Sequence, residues 1–244
     1  MFSGQFKLEV QARINAFVEE CLQFERRKFR ANRLFDDLLT YIIHGYTMGG
    51  EPLGRENWPY SPEQNEWFMR RYLDILQLIV DAKKKGEFID ALGSIYMQLQ
   101  NGPHLGQFFT PADIAWMLTK MTVTEKGQTS IADPCCGSGV MLLAAAFDNP
   151  NITAFGNDLD DTCVKLCTCN LLLNEIQGVV THGNSLTNEY YGGYAIRCIE
   201  AEPENLYYIQ KLSKEDATIV WCKDSDAILK TANATPRPQS ESRD

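Results

Sequence analysis

The most constraining stretch of this sequence runs from residue 130 to residue 182, where short apolar strands alternate with apolar helices and the first junction is a glycine turn. Ser130-Ile131-Ala132 reads as a strand ending in Asp133-Pro134, and Gly139 to Phe147 as an apolar helix. Ile152 to Asn157 is a second strand, Asp160 to Leu173 a second helix, and Gly178 to His182 a third strand. That alternation gives successive parallel strands joined by crossover helices, an α/β arrangement. Ala217 to Cys222 is rich in β-branched and apolar residues and is expected as a fourth strand, paired beside the first.

Upstream the period changes to that of helices. Phe6, Val10, Ile14, Phe17, Cys21 and Phe24 recur at intervals of three and four, and Leu34, Phe35, Leu38, Leu39, Ile42 and Ile43 continue the pattern, so residues 5–45 read as helix. A Gly/Pro-rich loop to Pro62 follows. Ser61-Pro62 then opens a helix that Lys83-Lys84-Lys85-Gly86 closes, and a third helix runs from Phe88 to Leu99. The expected organisation is a helical domain over residues 1–103, an α/β domain over 104–230 and a disordered tail over 231–244.

Composition removes several classes. The longest fully apolar run, Val140 to Phe147, is far short of the roughly 20 residues a membrane span needs. The N-terminus carries no apolar signal core. Eight cysteines in a chain of this length read as reduced thiols, placing it in the cytoplasm. Cys163, Cys167 and Cys169 share a helix without the CxxC pairs or neighbouring His of a metal site, so no metal is expected. Net charge is −9, and residues 101–200 carry 4 basic against 10 acidic side chains, a poor phosphate-binding surface. The one basic cluster is Arg26, Arg27, Lys28, Arg30 and Arg33. It is either a solvated helix face or a strip of phosphate contacts.

The chemistry concentrates in Asp133-Pro134-Cys135-Cys136-Gly137-Ser138-Gly139. Gly137 and Gly139 permit a sharp turn and close approach of a ligand, and the helix that follows points its N-terminal amides at the same place. Asp158 ends the next strand, 21 residues after Gly137, where a carboxylate can accept hydrogen bonds from ribose hydroxyls. A dinucleotide fingerprint would require a third glycine, but Leu142 stands there. A carboxylate at position 133 suits a cationic ligand better than a pyrophosphate. S-adenosylmethionine, with its amino group and sulfonium, is complementary.

Four ordered motifs carry a resemblance: Gly106-Gln107-Phe108-Phe109-Thr110-Pro111, Asp133-Pro134-x-Cys136-Gly137-Ser138-Gly139, Gly156-Asn157-Asp158 and Gly183-Asn184-Ser185-Leu186. They resemble those of the N6-adenine DNA methylases, above all the modification subunit of type I restriction systems and short phage or plasmid relatives. The likeness spans residues 86–197. It implies a Rossmann-like S-adenosylmethionine-dependent methyltransferase fold behind a helical N-terminal domain. It also implies roles: Phe108, Thr110 and Pro111 at the methionine end, Asp133 toward the amino group with Pro134 in the same turn, Gly137 and Gly139 as the floor. Asp158 would hold the ribose, Leu159 would touch the adenine, and Asn184, where the family usually has Asp, would accept from the adenine amine. The implied partners are DNA and a separate specificity subunit or a second copy of the chain.

One departure is severe. The family's Asn/Asp-Pro-Pro-Tyr/Phe tetrapeptide, which bonds the target amine and stacks the flipped base, does not occur in the sequence. The single Asn-Pro, Asn149-Pro150, falls in the wrong loop, and Trp221 with Asp224 offers only a partial substitute. The second half of the sheet is therefore expected to be missing or rebuilt, and the catalytic residues are unknown. Three readings follow: an adenine-N6 DNA methyltransferase, a catalytically inactive cofactor-binding relative acting as regulator, decoy or partner subunit, or a methyltransferase for RNA or protein.

Overall fold

The structure is a computed structural model that describes residues 4–24, 31–49, 58–99, 109–122 and 129–222. Four helices come first: α1 (Gly4–Gln23), α2 (Ala31–Tyr46), α3 (Pro62–Lys84) and α4 (Ala91–Leu99). The stretch expected as helix over 5–45 thus contributes α1 and α2, with residues 25–30 outside the described set. The stripes behave as their spacing predicts. Phe6, Ile14, Phe17 and Cys21 of α1 and Leu34, Phe35, Leu38, Leu39, Ile42 and Ile43 of α2 are all buried. α3 opens with a capping box: the Ser61 hydroxyl accepts the Gln64 N–H at 3.3 Å while the Gln64 side chain accepts the Ser61 N–H at 2.8 Å.

The α/β part follows as α5 (Ala112–Thr122), β1 (Ser130–Asp133), α6 (Val140–Asp148), β2 (Thr153–Asp158), α7 (Asp161–Leu173) and β3 (Gly178–Asn184). β1, β2 and β3 are parallel neighbours, as the alternation requires. Two further strands, β4 (Glu189–Ile199) and β5 (Leu206–Leu212), add antiparallel to β3 as a hairpin, giving one sheet of order β1-β2-β3-β4-β5. Ala154, Val180, Ile196 and Ile209 project from one sheet face into a buried cluster that also contains the side chains of α1 to α4, α6 and α7. The helical N-terminal residues and the sheet therefore share one contiguous core. Among the described residues, no helix is long and apolar enough to cross a membrane.

The expected fourth strand is corrected. Residues 217–222 belong to a helix, α8 (Lys214–Cys222). The cause lies just upstream: Ser213 Oγ accepts the Asp216 N–H at 3.1 Å and the Asp216 carboxylate accepts the Ser213 N–H at 3.1 Å, a reciprocal cap that starts a helix. That cap outweighs the strand preference of Thr218, Ile219 and Val220. α8 covers the other sheet face, where Val220 packs with Phe155, Val179, Ala195 and Leu212. The sheet is thus extended on the β3 side by the hairpin. Among the described residues no strand pairs with the outer edge of β1. A groove of about 860 Å³, bounded by β1, Leu118, Thr122, Val220 and Trp221, runs along that edge.

Candidate cofactor site

The site forms at the C-terminal ends of β1 and β2. β1 stops at Asp133 and the chain turns through Pro134 to Gly139 before α6 begins. Gly137 and Gly139 have φ of 52° and 81°, left-handed values that favour glycine. The surroundings enforce the same choice. A Cβ on Gly139 would sit 2.6 Å from Cys167 Sγ, and one on Gly137 would press at 3.1 Å on the Phe109 ring.

Hydrogen bonds fasten the turn to the neighbouring strands. Asp158, the last residue of β2, accepts the Gly137 N–H on Oδ2 at 2.8 Å and the Asp160 N–H on Oδ1 at 3.0 Å. The Cys136 N–H donates to the Asn157 carbonyl at 2.8 Å. The buried Asn157 amide donates to the carbonyls of Pro134 at 3.3 Å and Gly183 at 3.0 Å, and its oxygen accepts the Thr181 hydroxyl at 2.8 Å. Thr181 in turn accepts the indole N–H of Trp221 at 2.6 Å. A polar chain thus runs from α8 through β3 and β2 to the turn.

These residues enclose a cavity of about 210 Å³ whose lining includes Phe109, Thr110, Asp133, Gly137, Asp158 and Cys163. The Asp133 carboxylate accepts the Cys135 N–H at 3.0 Å. Burial pushes its pKa above the ordinary carboxylate value; the Cys135 bond opposes that shift and the charge on Asp158 adds to it. Two carboxylates therefore face one small cavity, and no basic side chain lines it among the described residues. Such a cavity favours a ligand that brings a cation and hydroxyl donors.

The structure brings together Thr110, Asp133, Gly137 and Asp158 of the residues anticipated from sequence, while Gly139 caps the start of α6 and packs against Cys167 of α7. Pro134 contributes through its carbonyl, which also accepts the Ser185 hydroxyl at 3.1 Å. Pro111 opens α5, its carbonyl accepting the Ala115 N–H at 2.9 Å. Leu159 stands beside the cavity, 61% exposed. Asn184 ends β3. Its side-chain oxygen closes its own loop by accepting the N–H groups of Leu186 at 3.0 Å and Thr187 at 3.3 Å. Phe108, Arg26, Arg27, Lys28 and Arg30 lie outside the described residues, and Arg33 is an exposed residue of α2 set 3.8 Å from Asp37. Trp221, offered as a base-stacking substitute, is bound to Thr181 and lies parallel to Tyr190 at 6.4 Å between ring centres; Asp224 lies outside the described residues.

Sequence reasoning missed Phe109, Met141 and Cys163 in the lining. Phe109 was within reach, because it adjoins Thr110 in the same motif and stacks on Tyr96 at 5.5 Å. Cys163 carries no local signal; it reaches the cavity because α7 begins at Asp161, three residues after Asp158.

The model of the N-6 DNA methylase family matches residues 87–218, more than half of the chain. The chain belongs to that family. It is similar to the type I restriction enzyme MpnII methylase subunit of Mycoplasma pneumoniae, 27% identical over 169 residues that cover 62% of this chain and 30% of the relative. It is also similar to the type I restriction enzyme MjaVIII methylase subunit of Methanocaldococcus jannaschii, 32% identical over 95 residues that cover 36% of this chain and 16% of the relative. The chain thus spans less than a third of the length of these curated relatives. Among solved structures it is similar to a protein assigned as a class I S-adenosylmethionine-dependent methyltransferase from Listeria monocytogenes, with TM-score 0.46, 15% identity, and coverage of 84% of this chain and 67% of that one. A type I restriction-modification methyltransferase subunit from Streptococcus thermophilus gives TM-score 0.39 and 17% identity over 68% of this chain and 56% of that one. Family membership makes S-adenosylmethionine the cofactor, and the donor set fits it: the cavity presents two carboxylates, Asp133 and Asp158, that suit an ammonium and ribose hydroxyls.

Proposed function

We propose that this chain supplies the cofactor-binding part of an adenine-N6 DNA methyltransferase of the type I restriction-modification kind, working in the cytoplasm. The observation that carries the reading is that Asp133 and Asp158 line one cavity together with Gly137, whose N–H Asp158 accepts. In this reading Asp133 faces the amino group of S-adenosylmethionine, Asp158 accepts from the ribose, and Thr110 and Phe109 bound the methionine end. The bound cofactor supplies an electrophilic sulfonium methyl group. The chain's residues contribute by fixing that group's position, which is where such a reaction gains most of its rate.

DNA is the proposed substrate and a specificity subunit or second copy the proposed partner. The −9 net charge argues against tight autonomous binding of DNA by this chain. A second reading is favoured by one observation: the Asn/Asp-Pro-Pro-Tyr/Phe tetrapeptide does not occur among the 244 residues. In that reading the chain binds the cofactor without transferring its methyl group. Two measurements separate the cases. Calorimetry with S-adenosylmethionine and its demethylated product tests binding, and the absence of heat with either at protein concentrations near 100 μM, roughly the weak end of useful affinity, overturns both readings. Transfer of labelled methyl to adenine-containing duplex supports the first, and binding without transfer supports the second.

A further inference from the structure

The cofactor turn is held from a direction that the family motifs do not include. Asp90 immediately precedes α4 and is buried. Its Oδ1 accepts the N–H of Gly93 at 2.8 Å, an ordinary N-cap bond. The same oxygen accepts the Asn170 side-chain N–H at 2.9 Å, and the second oxygen accepts the hydroxyl of Ser138, 48 residues away. Ser138 is the residue between the two left-handed glycines of the turn. Asn170 Nδ2 also donates to the Ser138 carbonyl at 2.8 Å, so Ser138 is gripped at its side chain and at its main chain.

An N-cap alone would need only one oxygen and would sit at the surface. Here the carboxylate is enclosed and its donors are neutral: an amide, a carboxamide and a hydroxyl. Placing a charge there opposes folding unless every acceptor site is used. The position is also closed to alternatives nearby, since a Cβ on Gly93 would overlap the Asp90 carboxylate. Gly137 and Gly139 have the widest backbone freedom of any residue type, so a turn built on them keeps one conformation only where neighbours impose it.

We propose that Asp90 is a positioning residue of the cofactor site: through Ser138 and Asn170 it sets the conformation of the Gly137–Gly139 turn, so the helical N-terminal residues form part of the site. This rests on the reading that the turn binds S-adenosylmethionine. Its consequence for the free protein does not.

The test uses the full chain and four variants: Asp90→Ala, Asp90→Asn, Ser138→Ala and, as a control, Leu92→Ala, which shortens a buried α4 side chain that forms none of these hydrogen bonds. Two readouts are taken where circular dichroism shows each variant folded: the affinity for S-adenosylmethionine, and hydrogen exchange of the peptide containing residues 136–140 without ligand. Expected are a tenfold or greater loss of affinity and at least tenfold faster exchange in Asp90→Ala and Ser138→Ala. Asp90→Asn keeps a polar group facing Ser138 and should recover most of both. Leu92→Ala should lower thermal stability while leaving affinity and turn exchange within twofold. If Ser138→Ala, which removes one oxygen and should fold, leaves affinity and exchange within twofold of the parent, the proposal is overturned even should Asp90→Ala fail to fold. If the parent binds no cofactor while turn exchange responds as expected, the cofactor reading fails and the positioning of the turn stands.

Discussion

Asp158 Oδ2 accepts the main-chain N–H of Gly137 at 2.8 Å, so the end of β2 is fastened to the turn that leaves β1. Its other oxygen accepts the Asp160 N–H, which sets the start of α7. One carboxylate therefore shapes the cavity and also presents lone pairs to whatever occupies it. Asp158→Ala removes both functions. Affinity for S-adenosylmethionine should fall by about 1–3 kcal/mol, the range for bonds to a charged acceptor. Asp158→Asn keeps one acceptor and should fall between the two. Titration calorimetry checks this, and an Asp158→Ala dissociation constant within twofold of the parent value would contradict it.

Asp133 gives a pH dependence whose sign is fixed by its surroundings. Its pKa in the folded chain is raised by burial and by Asp158, above an unfolded value of 3.8. The folded state therefore holds this proton more tightly, and stability from this group falls as pH rises from the unfolded value through the folded one. A cationic ligand reverses the preference by favouring the carboxylate. Affinity for S-adenosylmethionine should therefore drop as pH falls through the raised Asp133 value, and binding within that window should release a proton. Calorimetry in buffers of differing ionisation enthalpy measures the release, which should vanish in Asp133→Asn.

Gly139 separates backbone strain from side-chain overlap. Gly139→Ala places a Cβ in a left-handed backbone, costing about 1–2 kcal/mol, and drives it onto Cys167 Sγ. The Cys136 thiol, whose contact with the Cys167 thiol together with burial raises its pKa, packs in the same spot, leaving Cys167 little room to move. In urea titrations Gly139→Ala should be destabilised by more than the backbone cost alone. Adding Cys167→Ala should recover the overlap portion and leave the backbone portion. Strict additivity of the two substitutions would show that the sulfur yields freely.

The parts of the site that could be read in the sequence are those encoded within a few residues. Ser130 to Asp158 declares itself because the strand, the glycine turn, the apolar helix and the acidic strand end follow one another at fixed spacing. β4 has no clear strand signal because Gly192-Gly193 interrupts its alternation, although Tyr190, Ala195 and Ile196 are buried as a strand in a sheet requires. The β-branched residues of α8 suggest a strand, while the Ser213–Asp216 cap that decides the matter sits outside the apolar run. Asp90 could not have been found this way. Its partners Ser138 and Asn170 lie 48 and 80 residues off, and no spacing rule joins a helix N-cap to a loop in the next layer.

The chain of bonds from Trp221 to Thr181 to Asn157 predicts an order of effects. Thr181 is buried and its hydroxyl accepts from the indole at 2.6 Å and donates to Asn157 Oδ1 at 2.8 Å, with the Gly156 carbonyl a longer acceptor at 3.3 Å. Thr181→Val keeps the shape but strands a donor on α8 and an acceptor beneath the turn, so it should cost about 1–3 kcal/mol for a buried group left unpaired. Trp221→Phe removes the donor rather than stranding it and leaves Thr181 bonded to Asn157, so it should cost less, about 0.5–1.5 kcal/mol. Because Asn157 also holds the Pro134 carbonyl, Thr181→Val should lower cofactor affinity as well, whereas Trp221→Phe should not. Denaturant titration and calorimetry on the two variants give the comparison. The reverse order, with Trp221→Phe the more damaging, would show that the packing of the indole beside Tyr190 and Val220 governs α8, and that the polar chain to the turn is secondary.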